Sequence, residues 1–402
     1  MKNFYYILFV SLILNFCYSQ CQGDVNLDDT INIQDVILIV NHILDIDLLE
    51  GQALNNADVN NDGGINVVDI VAVTDLIIND FNQCEDSIIV NLSLEWEFQE
   101  DLSYFDYEEL RDIINNEIEE LNYLKGIVII HNGKIIDEEY YDDSSISEIY
   151  NIWSVTKSYT STLIGQAIDQ SLIFNSDHTL DNFLPDYDQN YLETITLHDL
   201  LTMSSGYYDS YGYPDWVNAS TSALVSMPYS SPGYFYYNNS ACHINSHILY
   251  EGSGMTPIEF ASINLFPYLG INNPFWMDGY NDINDGSASL YLRLRDMVKL
   301  GQLFIQDGYA SENNQIISEE WINKATSSLI STGWPGLENY GYLWWIPQEG
   351  YLAFGYGGQF IAVMPERNLV IGTHSDTFSD QLYQQELLNI IYNEIAPLFE
   401  NE

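Results

Sequence analysis

The sequence predicts two folded parts: a small all-α module near the N-terminus, and a larger α+β domain in which helices flank one sheet and a mainly helical part is inserted. Three observations carry this. An Asp/Asn-rich pattern occurs twice with a period of 34 residues between positions 21 and 84, each copy running into an apolar helical stretch. Strand-like runs lie at both ends of the remaining chain, at 126–140 and 341–374, whereas the middle, 171–335, is richer in helices, loops and aromatics. Strands from the two ends must then share one sheet. Between the first strands and the insertion, WSVTKSYTSTLIGQAIDQ (Trp153 to Gln170) is mostly small or apolar after Lys157, as expected of a helix crossing the interior.

In chain order, residues 1–20 read as a secretory signal: Lys2, an apolar run from Phe4 to Phe16, then small or polar residues before a cut after Ser19 or Gln20. That run is too short to span a membrane, and no later segment qualifies, so an exported, soluble mature protein is expected. Cys21 and Cys84 bracket the repeat and are candidates for a disulfide, while Cys242 is expected to be a small buried apolar residue. Ten Lys and Arg stand against 59 Asp and Glu in 402 residues, a formal charge of -49. Such a surface repels nucleic acid and anionic membranes and favours cations.

The repeat places Asp24, Asn26, Asp28 and Asp35 at positions 1, 3, 5 and 12 of one loop, and Asp58, Asn60, Asp62 and Asp69 at the same positions of a second. Oxygen ligands so spaced wrap Ca²⁺, with the carbonyls of Thr30 and Gly64 at position 7; two calcium sites are expected. Gly63 supplies the turn at position 6 of the second loop, where the first has Asp29. No Lys or Arg occurs in 22–84, so these carboxylates have no cation of their own. Val36 to Leu44 and Ile70 to Ile78 are the expected helices. Residues 21–84 resemble a type I dockerin, which implies calcium-dependent folding and docking to a cohesin-like partner. At loop positions 10 and 11, where such modules often carry Ser or Thr, this chain has Ile33-Gln34 and Val67-Val68.

Residues 85–106 read as an acidic linker with a short strand at Ile88 to Leu94, and 107–402 as the large domain. Tyr107 to Leu124 has helical periodicity, and Gly126 to His131 and Lys134 to Tyr140 form two strands around Asn132-Gly133. Gly341 to Trp345, Tyr351 to Gly355, Gln359 to Pro365 and Leu369 to His374 are further strands, and Gln381 to Phe399 a closing helix.

Candidate chemistry starts at Ser154 and Lys157. Three residues apart, they share a helix face, so the amine reaches the hydroxyl that it would have to deprotonate. Tyr237 and Asn239, in PGYFYYNNSA, offer a phenol for proton transfer and an amide donor. The glycine-rich Phe354 to Gln359 opens a strand where backbone N–H groups can meet an oxyanion.

Taken in order, Ser154-Val155-Thr156-Lys157, HDLLTMSSG at 198–206, Tyr237-Asn238-Asn239, RLRDMVKLG at 293–301 and GYGGQ at 355–359 resemble the serine beta-lactamase and penicillin-binding-protein superfamily, in its class C-like branch. WSVTKSYTSTLIGQAID, YGYLWW and GYGGQ are especially similar to 6-aminohexanoate-dimer hydrolases and related carboxylesterases. The resemblance implies an antiparallel sheet flanked by helices, and a secreted serine hydrolase forming an acyl-enzyme on an ester or amide. Ser154 would be the nucleophile, Lys157 its activator and Tyr237 the proton relay. The N–H groups of Ser154 and Gln359 would form the oxyanion hole, with Asn239, Tyr356 and Gly358 at the substrate and no metal in the catalytic site. Where beta-lactamases usually carry Lys-Thr-Gly, this chain has Tyr356-Gly357-Gly358, which argues for a neutral or cationic acyl portion. Aromatics at Tyr207, Tyr208, Tyr211, Tyr213 and Trp216 either line the pocket or belong to the core. The competing expectation is a catalytically silent ligand-binding or adaptor protein that acts through the dockerin-like module.

Overall fold

The computed structural model describes residues 22–28, 30–46, 48–49, 51–60, 63–78, 89–118, 121–187, 190–208, 211–378 and 381–399. The signal segment, Cys21, Asp29, Asp62 and Cys84 therefore lie outside the described residues. The chain divides into two compact units after Ile88.

In the first unit, helices Ile33–Ile43 and Val67–Ile78 begin three residues before the expected starts, inside the last positions of the loops. The reason is capping. Asn32 accepts the N–H of Gln34, and Asp35 reaches back to the N–H of Asn32 at 2.8 Å, a reciprocal box. The second copy repeats it, Asp69 accepting the N–H of Asn66 at 2.8 Å. A further helix at Gln52–Ala57 joins the copies, and Asn56 donates to the Asp24 carbonyl at 2.7 Å. The core is small: Val25, Ile31, Ile39, Ala57 and Val73.

The second unit is built on eight antiparallel strands, which we number in chain order: β1 (Leu124–His131), β2 (Lys134–Tyr140), β3 (Ile330–Trp334), β4 (Leu337–Tyr340), β5 (Trp345–Ile346), β6 (Tyr351–Gly355), β7 (Gln359–Met364) and β8 (Leu369–Ser375). Their order is β2-β1-β8-β7-β6-β5-β4-β3. The two chain ends meet at β1 and β8, in register from Gly126 opposite His374 to His131 opposite Leu369. β7 and β8 are buried along their whole length, so helices must cover both faces. One of these, Thr156–Asp169, is buried from Thr156 through Ala167.

Three expectations need correction. Residues 89–106 are no linker: Leu92 is buried and donates to the Ala310 carbonyl, and Trp96 Nε1 donates to the Arg295 carbonyl at 2.9 Å. The strand expected from Ile88 is absent among the described residues 89–94, because the carbonyls of Leu92 and Leu94 turn to the buried Lys299 ammonium, 2.9 Å from each. The strand expected at Gly341 to Trp345 is broken, since Leu343 takes φ +61 and its N–H leaves the sheet for the Leu201 carbonyl. The hairpin of β3 and β4 was not legible in the sequence: its apolar and polar residues do not alternate, and β3 is the edge strand of the sheet, exposed along most of its length. The closing helix runs as expected, as an α-helix Gln381–Ile390 continued by tighter and wider turns to Phe399.

Candidate active site

The turn that carries Ser154 is set by the chain before it. The Asn151 side chain accepts the Trp153 N–H at 2.8 Å, the Ile152 N–H is fixed on the Leu290 carbonyl, and Trp153 adopts φ +47. A left-handed Trp is strained, typically by 1–2 kcal/mol. Its consequence is that Ser154 sits in a single 3₁₀ turn, Trp153–Val155, that feeds the buried helix. Strand β6 packs against this turn, and a Cβ at Gly355 would lie 2.5 Å from the Ile152 carbonyl oxygen, so only glycine fits.

Lys157 is 1% exposed, and its amine has three acceptors: Ser154 Oγ at 2.9 Å, Asn239 Oδ1 at 2.7 Å and the Ser287 carbonyl at 2.7 Å. Three acceptors match the three N–H bonds of an ammonium, which satisfies a charge that would otherwise be costly to bury. Two of those acceptors are rigid. Asn239 is the first residue of the helix Asn239–Ser253, whose cap Asn238 accepts the Ala241 N–H and donates to the Tyr207 carbonyl. The nitrogen is thus oriented by Asn239 and Ser287, with its third position on Ser154.

Tyr237 meets this group face-on: the Lys157 nitrogen lies 4.9 Å from its ring centroid. Among the described residues its hydroxyl makes no hydrogen bond to Ser154 or Lys157. The ring stacks on Trp345 (5.7 Å, 21°) and lies near Trp334 (6.3 Å, 36°), so β3 and β5 form an aromatic wall. The opposite wall is Trp153, with Tyr213 at 5.4 Å and Tyr356 at 5.5 Å. Tyr356 is 54% exposed and Tyr213 42%. The aromatic run therefore divides: Tyr207 and Trp216 are core, whereas Tyr208 and Tyr213 face out.

In the glycine-rich turn between β6 and β7, Gly358 takes φ +95 and a Cβ there would meet Ser375 Oγ at 2.9 Å. The Gln359 side chain turns inward, donating to the Ser375 carbonyl at 2.6 Å and accepting the Ser375 N–H at 3.2 Å. That side chain is spent on β8, which leaves only its backbone for the cleft.

Sequence reasoning missed Asp285 altogether. It is fully buried and accepts from Ser287 N at 2.9 Å, Ser287 Oγ at 2.6 Å, Ser289 Oγ at 2.7 Å and Trp216 Nε1 at 3.2 Å. The stretch NDGSAS reads as an ordinary turn, with no signal that its carboxylate goes inside. Cys242 is buried nearby as expected, its thiol pushed up to about 12 by burial.

The other cations of the large unit are engaged elsewhere. Arg111 bonds Asp137 and Glu139, Lys125 Asp142, Arg293 Asp296, Arg295 Glu138 and Arg367 Glu349. Lys134 faces Glu97, Lys324 bonds Ser176, and Lys299 holds its two carbonyls. Among the described residues, Lys157 alone supplies positive charge to this cleft.

The sequence profile of the beta-lactamase family matches residues 124–390, and that of the dockerin type I domain matches residues 22–78. The chain belongs to the beta-lactamase family. This family member carries a dockerin type I domain ahead of its beta-lactamase fold. Solved structures share that fold. A Bacillus anthracis protein assigned as a 6-aminohexanoate-dimer hydrolase is 19% identical, with TM-score 0.62 over 77% of this chain and 90% of its own. A Bacteroides dorei protein assigned as a beta-lactamase is 16% identical, with TM-score 0.62 over 73% and 99%. A class C beta-lactamase mutant is 12% identical, with TM-score 0.59 over 72% and 96%. No curated protein sequence matches the chain significantly. Membership makes it a hydrolase by fold, of the serine class.

In the dockerin domain the oxygen set suits calcium. Asp24, Asp35 and Asp69 are buried carboxylates in a stretch with no Lys or Arg. The Asp24 and Asp28 carboxylates and the Asn26 amide oxygen all accept backbone N–H groups of their own loop, which gathers oxygens around it. Among the described residues, no three His, Cys, Asp or Glu side chains form a metal cluster by themselves. The loop's other donors, an Asn amide and a main-chain carbonyl, are what a hard cation adds to carboxylates. No helix of the described residues is long and apolar enough to cross a membrane.

Proposed function

We propose that this protein is a secreted hydrolase of esters or amides that acts through an acyl-enzyme on Ser154 and is recruited by its dockerin domain. The observation that carries the reading is the Lys157 amine, held by Asn239 and Ser287 so that its remaining position meets Ser154 Oγ. The base is the neutral amine: once the ammonium has released the proton that faces Ser154, its lone pair holds that position and takes the Ser154 proton as Oγ bonds to the substrate carbonyl. The Oγ–C bond forms, the C–O or C–N bond breaks, and Tyr237, whose ring lies beside Lys157, returns a proton to the leaving group. Water then attacks the ester with the proton path reversed. The backbone N–H groups of Ser154 and Gln359 stabilise the oxyanion. Gly358 keeps the turn before Gln359 narrow, and Asn239 acts on substrate only through what its contact with Lys157 leaves free.

Substrate class follows from charge. The cleft offers no Arg or further Lys to a carboxylate, and Tyr356 and Trp153 present rings instead. A chain of net charge -49 also repels anions at long range. Neutral or cationic acyl groups fit, with an ester preferred over an amide.

In the dockerin domain, Asp24, Asn26, Asp28, Thr30 and Asp35 would hold one calcium ion, and Asp58, Asn60, Asp62, Gly64 and Asp69 a second. Bound calcium neutralises the clustered carboxylates and ties loop to helix. The docking partner is a cohesin-like protein.

The test is turnover of short-chain nitrophenyl esters by the mature protein with calcium, beside Ser154→Ala. A loss of about a thousandfold or more in kcat is expected in the variant. Equal rates in the two folded proteins would remove the nucleophile from the scheme.

A further inference from the structure

We infer that Asp285 is a positioning residue for Lys157, acting through Ser287. The inference rests on the reading of Ser154 and Lys157 given above and adds to it a residue that touches neither of them. Three observations meet here.

The first is the path. Lys157 Nζ donates to the Ser287 carbonyl at 2.7 Å, and Ser287 is itself gripped by Asp285, which accepts both its N–H (2.9 Å) and its hydroxyl (2.6 Å) on one oxygen, Oδ1. A two-point grip on one residue fixes its peptide orientation, so the carbonyl that orients the amine has little freedom of its own. The second is the cost. Asp285 is fully buried and forms no ion pair with Lys or Arg among the described residues, and burial holds the imidazole of its neighbour His243 below the ordinary range, towards the neutral form. A buried carboxylate with no ion partner is retained only if its hydrogen bonds are complete, and here four donors surround it. The third is what else it holds. Trp216 Nε1 donates to Oδ1 at 3.2 Å, and Trp276 Nε1 donates to the Asp285 carbonyl at 2.6 Å. Trp216 packs on Tyr213, which packs on Trp153, the residue before the nucleophile.

Asp285 therefore sits where the wall beside Ser154 and the anchor of Lys157 converge. A neutral acceptor of the same shape would keep the Ser287 contacts but weaken them, since a charged acceptor binds roughly twice as strongly. The amine would then sample orientations in which its third position leaves Ser154 Oγ. The acylation step slows, while substrate binding against the outer aromatic rings does not change.

The experiment is the pre-steady-state release of nitrophenolate from p-nitrophenyl acetate by the full chain with calcium, comparing wild type, Asp285→Asn, Ser287→Ala and Ser289→Ala. Asp285→Asn is expected to lower the maximal acylation rate by about tenfold or more, with the half-saturating ester concentration within about twofold. Ser287→Ala, which removes one of the two grips, should lose about threefold, and Ser289→Ala, off the path to Lys157, less than Ser287→Ala. An Asp285→Asn protein that acylates at the wild-type rate overturns the inference, as does one that loses rate and saturation together. If Asp285→Asn does not fold, Ser287→Ala decides, and a wild-type acylation rate there overturns the proposal. Failure of the underlying reading looks different: the wild-type protein itself then shows no acyl-enzyme.

Discussion

The two units bury charge in opposite ways. In the dockerin domain the buried charges are carboxylates, Asp24, Asp35 and Asp69, in a stretch that holds no Lys or Arg. Among the described residues the core of this unit is five side chains, and large apolar residues such as Ile33 and Val67 remain outside, each more than 60% exposed. In the beta-lactamase-like unit the buried charges are Lys157, with three acceptors, and Asp285, with four donors, under an eight-stranded sheet. One unit leaves its charge balance to something added from outside, and the other completes it from its own chain. Each unit is vulnerable in its own way: the first to the loss of an ion, the second to the loss of a single partner.

Removing calcium is the strongest way to test that contrast. Chelation of the full-length protein is expected to abolish the thermal transition of the dockerin domain while moving that of the catalytic unit by no more than about 2 °C, checked by calorimetry with and without chelator. If both transitions move together, the two units do not differ as described.

Acid sharpens the comparison from the other side. Burial holds His131 down to about 4 and His374 down to about 3, so the fold keeps both imidazoles neutral. Their folded values lie below the ordinary 6.5, so the contribution is intact above pH 6.5 and is lost as pH falls towards 4 for His131 and 3 for His374. Asp307 works in the opposite direction, its carboxyl pushed up to about 6 by burial, so acid relieves it. Burial pushes His198, His243 and His247 in the same direction, so the histidines outweigh Asp307 and the catalytic unit should lose several kcal/mol between pH 6.5 and 4, seen as a falling urea midpoint. A flat midpoint over that range would show that these imidazoles are not buried neutral.

The smallest effect is expected at the exposed apolar positions. Ile33→Ser and Val67→Ser should change stability by no more than about 0.5 kcal/mol, because neither side chain belongs to the core of its unit. A larger loss in the calcium-loaded melt would mean that these residues are packed after all.

Much was legible in the sequence because it depends on local spacing. The loop ligands repeat at 34 residues, Ser154 and Lys157 are one turn apart, and β1, β2, β6, β7 and β8 announce themselves by short apolar runs between turn residues. Residues 89–106 escape such a reading for the same reason. Acidic, weakly patterned residues read as loose, yet Leu92 and Trp96 find partners more than 190 positions away, at Ala310 and Arg295.

Local spacing along the chain thus accounts for the inventory: two calcium-type loops, a serine within reach of a lysine, and strands at both ends of one domain. Which atoms hold the lysine was decided by tertiary structure alone. Asn239 and Ser287 come from positions 82 and 130 residues after Lys157, and Asp285 acts through the second of them. Hydrogen bonds reach only about 3 Å, and no periodicity in a chain says which distant carbonyl will fall within that range once a helix is packed into a core.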